Sequence, residues 1–173
     1  ISGAHIEVLA DGGVKTLLEK LWHQERTIVL VMATGAAVRL IAPLLTDKRS
    51  DPGVVVVDDG GHFAVSLLGG HRAQANELAE SIATSIGGQA VTTTAAEALG
   101  LPSVEELARA QGWTIENDGV AMTALAAAIV NGDPVGALTP HATPGWWTGP
   151  VEQVVKVNSV EMLVQVDAPA ALI

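Results

Sequence analysis

Two kinds of apolar spacing take turns along the chain. Val14, Leu17, Leu18, Leu21 and Trp22 recur at helical intervals and predict a helix over 14–23. Residues 27–33, TIVLVMA, are continuously apolar and rich in β-branched side chains, the texture of a strand covered on both faces in a parallel sheet. A helix is expected over 37–45, with Pro43 kinking it. After the polar turn 46–53 come two short strands, 54–57 and 62–67, paired through the Asp58-Asp59-Gly60-Gly61 turn. Ala75, Leu78, Ala79, Ile82, Ala83 and Ile86 mark a long amphipathic helix capped by Gly87-Gly88, and 89–93 is a fifth strand. A first strand is expected at 5–10.

The texture changes near Ala95. Ser103 is positioned as the N-cap of a helix over 104–111, with Glu105 and Glu106 in its first turn. The stretch 120–130 is almost wholly alanine and aliphatic and predicts a buried helix. Strands are expected at 135–138, 153–157 and 161–166, with the proline-rich segment 139–150 as a loop. Alternating strands and helices indicate a three-layer α/β domain with a mainly parallel sheet over 1–95, followed by a smaller α/β middle region over 96–173.

Composition narrows the function. Hydrophobic residues make up 49% of the chain, enough for a packed core, and there is no cysteine to form a disulfide or thiolate metal site. No apolar run is long enough to span a bilayer, so a cytoplasmic protein without membrane attachment is expected. The net charge of −10 argues against nucleic acid, whose binding depends on neutralising phosphates. The charge is uneven: residues 1–72 hold seven basic and eight acidic residues, residues 73–173 two and eleven. An anionic ligand would therefore meet Arg39, Lys48, Arg49, His71 and Arg72, side chains that could equally just solvate loop ends.

Three constellations could carry chemistry. Thr34-Gly35 closes a strand and opens a helix, where backbone N–H groups can bind an anion, though a tight βα turn explains Gly35 as well. No dinucleotide or P-loop fingerprint accompanies it. Gly69-Gly70-His71 precedes the helix bearing Asn76 and Glu77. There glycine amides can approach an oxyanion, and His71 can act as a base or as a solvent-facing cap. Glu77 could orient His71 or a water, or be an ordinary solvated helix acid. Asp58-Asp59 with His62 could do acid–base work, but is also what a hairpin turn demands. No motif marks a protein metal site. Trp146 and Trp147 could stack on a flat ligand or plug a linker onto the main domain.

Taken together, the blocks ATGAAVRLIAPLL, DKRSDPGVVVVDD and SLLGGHRAQANELA resemble, in order, the N-terminal region of the CbiG family, the cobalt-precorrin-5A hydrolases. The family pattern runs roughly A-T-G-I-x-V-R-x-I-A-P, D-K-x-x-D-P-A-V-V-V-V-D-E, S-L-L-S-G-H-x-G-G-A-N-E-L-A. The stretch from LPSVEELARAQGW to about residue 157 is similar to the family's middle region. The chain departs at Gly69, where the family often has serine, and at Ala73-Gln74, where it often has Gly-Gly. The family's small C-terminal domain has no counterpart here, and a strand and helix usually precede the point where the chain begins. A fragment, or part of a fusion with a corrin-ring methyltransferase, is therefore expected.

The resemblance implies a hydrolase of cobalamin biosynthesis. Such an enzyme opens the δ-lactone of cobalt-precorrin-5A and releases acetaldehyde to give cobalt-precorrin-5B. The alternative is a tetrapyrrole-binding portion whose chemistry resides in further domains. On the first reading His71 and Glu77 are catalytic, and Thr34, Gly35, Arg39, Lys48, Gly69, Gly70, Arg72 and Asn76 bind the anionic cobalt-tetrapyrrole. No cofactor is expected, because cobalt is carried by the substrate. A methyltransferase domain and a second copy of the chain are the protein partners considered.

Overall fold

The computed structural model describes residues 13–101, 103–115, 119–138, 147, 149–166 and 170–172, so the strand expected at 5–10 lies outside the described residues. The chain forms two compact units that divide between Thr92 and Thr93.

Unit one runs α1 (Gly13–Leu21), β1 (Thr27–Val31), α2 (Thr34–Ile41), a 3-10 turn (Ala42–Leu44), β2 (Gly53–Val57), β3 (Phe63–Leu68), α3 (Ala75–Ile86) and β4 (Gln89–Val91). The sheet order is β1-β2-β3-β4. β1 and β2 are parallel, β2 and β3 antiparallel, and β3 and β4 parallel. Two βαβ units are thus joined back to back by a hairpin.

That hairpin determines the layering. Right-handed crossovers that step the same way across a sheet, but start from strands of opposite direction, place their helices on opposite faces. The core shows this division. Val54 and Val56 of β2 pack with Leu18 of α1, Trp22 just after it, and Ala37 and Ile41 of α2. Val55 and Val57 pack with Ala75, Ala79 and Ala83 of α3. β2 is therefore buried at every position, and each valine contributes about 1.5–3 kcal/mol by leaving water.

β1 differs from expectation. Among the described residues it is an edge strand, and Val29 and Val31 are 42% and 63% exposed while Ile28 and Leu30 are buried. Continuous hydrophobicity marked β2's environment correctly and β1's only on one face. The helix after β1 also starts earlier than expected, at Thr34. It ends at Ile41 because Pro43 falls in the following 3-10 turn, where its missing N–H costs no α-helical bond.

Unit two runs α4 (Ala95–Ala98), α5 (Val104–Gln111), α6 (Gly119–Asn131), β5 (Val135–Leu138), β6 (Val154–Val157), α7 (Val160–Gln165) and β7 (Ala170–Leu172). Its sheet is parallel in the order β6-β5-β7. Ser103 caps α5 as expected: its hydroxyl accepts from the Glu106 amide at 3.1 Å, and the Glu106 carboxylate accepts from the Ser103 amide at 3.4 Å.

Two expectations fail here. Helix α6 is not buried all round: Leu125, Ala128 and Ile129 face the core, while Ala121, Ala124, Ala126 and Ala127 are exposed. The stretch expected as a strand over 161–166 is helix α7, because Ser159 caps it and its hydroxyl accepts from the Met162 amide at 3.3 Å. Five or six residues of mixed apolar and polar character satisfy either period, and the cap decides.

Among the described residues no helix is long and apolar enough to cross a membrane.

Candidate functional site

The Gly69-Gly70-His71 loop leaves the carboxyl end of β3. Because β3 is antiparallel to β2, that end lies at the amino end of β2, with Leu68 opposite Val54. Thr27 of β1 pairs with Gly53 at the same edge. The loop therefore meets the start of both neighbouring strands.

Close packing explains its glycines. Gly69 has φ +70°, and a Cβ there would stand 2.9 Å from the Gly53 Cα and 3.0 Å from the Ala73 methyl. A Cβ on Gly70 would lie 2.6 Å from Asn76 Oδ1. Residues 70–73 form a turn, and Gln74, in the left-handed region at φ 61°, leads into α3. The Gly69 carbonyl accepts from the Ala73 amide at 3.0 Å and from the Ala75 amide at 3.4 Å, and the Gly70 carbonyl from the Asn76 amide at 3.2 Å. These bonds engage the glycine carbonyls with the start of the helix.

Side chains at the start of β1 hold the loop down. Thr27 Oγ1 donates to the Ala73 carbonyl at 2.6 Å, and Arg26 Nη2 donates to the Arg72 carbonyl at 3.2 Å. Arg72 Nη1 reaches the Lys48 carbonyl at 3.5 Å, a long bond that bridges to the polar turn before β2. His71 is half-buried on the turn, four residues ahead of the first residue of α3. Glu77 lies in the first turn of α3, with one carboxylate oxygen shielded from solvent.

The turn before β2 is itself braced. Asp51 accepts from the Thr46 hydroxyl at 2.7 Å and the Thr46 amide at 3.0 Å. Desolvation alone would raise its pKa, but the bonds from the Thr46 hydroxyl and amide leave it lowered. Asp47 binds Arg49 through two contacts of 3.0 and 3.2 Å, and this pairing lowers the Asp47 pKa. Arg49 is thereby committed to its own turn.

A cleft of about 370 Å³ opens beside the loop, lined by Glu25, Arg26, Ser50, Asp51, Pro52, Arg72 and Ala73. Gly69, Gly70, His71 and Arg72 share one sheet edge, where Arg72 reaches the backbone carbonyl of Lys48, and Glu77 stands in the helix that follows. Asn76, expected to contact the ligand, lies inside the loop rather than on its surface. It is only 2% exposed and packs against Gly70, so it supports the loop from within.

Thr34, Gly35 and Arg39 do not join this site. They follow the carboxyl end of β1, and a strand of five residues separates the two edges by about 13 Å. Arg39 Nη1 folds back onto the Gly35 carbonyl at 2.9 Å, so its guanidinium stays with the first turn of α2. The separation follows from the antiparallel β2–β3 pair, which turns the third strand's loop away from the first strand's. Arg26 takes the place of Arg39 in the cationic group. Local spacing gave no signal for it: Arg26 meets the end of β3 only because β1 lies parallel beside β2, which is itself antiparallel to β3.

The Asp58 turn lies at the opposite edge and is structural. Asp58 Oδ1 accepts from the Phe63 amide at 2.7 Å, and Oδ2 accepts from the Gly60 amide at 3.2 Å and contacts His62 Nδ1 at 3.1 Å. Among the described residues no group of three or more His, Asp or Glu is placed to hold a metal ion. Trp147 packs against the Leu125, Ala128, Ile129 and Val135 core of unit two and donates its indole N–H to the Pro150 carbonyl at 2.9 Å, a packing role. Trp146 lies outside the described residues.

Comparisons with known proteins bear on this geometry. A family model described as cobalamin synthesis G N-terminal matches residues 16–97, and one described as cobalamin biosynthesis central region matches residues 102–167. A cobalt-precorrin-5A hydrolase of Priestia megaterium is 32% identical over 166 residues, covering 94% of this chain and 44% of that protein. The cobalt-precorrin-5A hydrolase of Salmonella typhimurium is 39% identical over 98 residues, covering 57% of this chain and 28% of that protein. A crystal structure of a cobalamin biosynthesis protein G homolog from Sulfolobus solfataricus aligns with a TM-score of 0.50 at 20% identity, over 90% of this chain and 47% of that one. At that identity the likeness speaks for the fold. The chain spans less than half the length of these relatives.

Proposed function

We propose, from the premise that the chain belongs to the cobalamin biosynthesis G family and carries its N-terminal and central regions, that it serves the hydrolysis of cobalt-precorrin-5A. The observation that carries the reading is the convergence of Arg72, His71 and the Gly69-Gly70 backbone on one sheet edge of an acidic protein, with Arg72 reaching the backbone carbonyl of Lys48.

In this reading Lys48 and Arg72 bind carboxylates of the tetrapyrrole, and cobalt arrives with the substrate. His71, with Glu77 near it in the chain, takes a proton from water as that water adds to the lactone carbonyl carbon. The Gly69 and Gly70 amides donate to the developing oxyanion. The ring C–O bond then breaks, leaving a carboxylate and a hydroxyl. When the hydroxyl-bearing carbon departs with its methyl as acetaldehyde, the electron pair of the broken C–C bond stays with the macrocycle. A cytoplasmic location belongs to the same reading.

The chain's coverage of 44% of the Priestia megaterium protein favours one other reading, in which this portion holds the tetrapyrrole and further domains complete the chemistry. One experiment separates them: the chain is incubated with cobalt-precorrin-5A, and acetaldehyde and bound tetrapyrrole are both measured. Release establishes the hydrolase, binding without release establishes the holding role, and neither result leaves the family assignment without this site.

A further inference from the structure

The geometry points to Arg26 and Arg72 as a paired guanidinium subsite that takes a carboxylate side chain of the ligand in the cleft beside the Gly69-Gly70-His71 loop. The inference rests on the reading that the chain takes a carboxylated tetrapyrrole, and it adds a residue, Arg26, and a place, the cleft, to it.

Both arginines line the same cleft of about 370 Å³. One N–H of Arg26 is fixed on the Arg72 carbonyl at 3.2 Å, and one of Arg72 lies 3.5 Å from the Lys48 carbonyl. Each anchoring bond uses one donor of a group that carries five, so the planar fork is oriented while most of its donors remain for a ligand. Such preorganisation lowers the ordering cost of a carboxylate contact. The acids of the cleft do not cancel the pair equally. Asp51 is engaged by the hydroxyl and amide of Thr46, whereas Glu25 is the acid an entering carboxylate must avoid.

The test titrates the full chain with a polycarboxylated porphyrin and with its methyl ester, followed by porphyrin absorbance. Arg26→Gln and Arg72→Gln are each expected to weaken the acid about tenfold, the loss of one charge-assisted contact, and to leave the ester's affinity unchanged. Arg72→Gln keeps the backbone carbonyl that Arg26 grips, so the loop tether survives in that variant. Equal weakening of acid and ester in both variants would mean that the arginines only brace the loop, and would overturn the proposal. Unchanged acid binding in either variant would overturn it too. Acetaldehyde release is read separately: a chain that releases none, yet loses acid binding in both variants, keeps this subsite while the hydrolase reading falls.

Discussion

Gly69 is pressed against Gly53 so closely that a Cβ on Gly69 would stand 2.9 Å from the Gly53 Cα, with the Ala73 methyl 3.0 Å away on another side. The family pattern has alanine, serine and glycine at these three positions, whereas this chain has glycine, glycine and alanine. Two β-carbons are lost from the strand and its loop and one is gained on the turn that follows, so the three positions share one space.

That exchange predicts strong coupling. Gly69→Ala introduces both a left-handed non-glycine residue and an overlap with backbone, and should cost about 2–4 kcal/mol. Ala73→Gly added to it should recover only part, because the contact with the Gly53 Cα remains. A double-mutant cycle in urea measures this, and strict additivity of the two changes would refute the shared-space account.

Gln74 is the one non-glycine residue with positive φ among the described residues. Its left-handed backbone starts α3 without a side-chain cap. Gln74→Gly should therefore stabilise the chain by about 0.5–1 kcal/mol, relief of backbone strain outweighing the added freedom of the unfolded chain. Gln74→Val should destabilise it, since a β-branched residue tolerates that region least. Thermal midpoints of the two variants should fall on opposite sides of the parent.

The two sheet edges give a direct functional contrast. Lys48→Gln should weaken binding of a polycarboxylated porphyrin about tenfold, the loss of one charged contact. Arg39→Gln, which removes only a guanidinium folded onto the Gly35 carbonyl at the far edge, should leave it within about twofold. Equal losses in the two variants would mean that the ligand does not sit where the Gly69-Gly70-His71 loop places it.

What the sequence could and could not convey divides along the same line. Periodicity located α3, whose alanines at 75, 79 and 83 are buried, and β2, whose four valines are buried on both faces. The hairpin between β2 and β3 was also legible, from its Asp-Asp-Gly-Gly turn. Its consequence was not: local spacing says nothing about which sheet edge a loop occupies, and that depends on strand direction. Thr34 and Gly69 therefore looked like parts of one site until the antiparallel pair separated them. α7 escaped for a different reason, since its six residues are too few for one period to exclude the other and Ser159 carried the deciding signal.

The hairpin turn that sets this geometry should announce itself in acid. The Phe63 amide, bonded to Asp58 at 2.7 Å, is the main cause of a lowered Asp58 pKa. Desolvation opposes it, and the contact with His62 adds to the lowering. A carboxyl whose folded pKa lies below its unfolded value of about 3.9 stabilises the fold fully above that value. The stabilisation then fades as pH falls through the lower, folded value. Asp58→Asn keeps one acceptor oxygen but abolishes the titration. Its urea midpoint should accordingly lie below the parent's near pH 6 and approach it toward about pH 2, as the parent's own carboxyl becomes protonated. Curves that stay parallel over that range would show that Asp58 contributes shape to the hairpin and not charge. The β2–β3 register, and with it the placement of Gly69, would then depend on the turn's geometry and not on its charge.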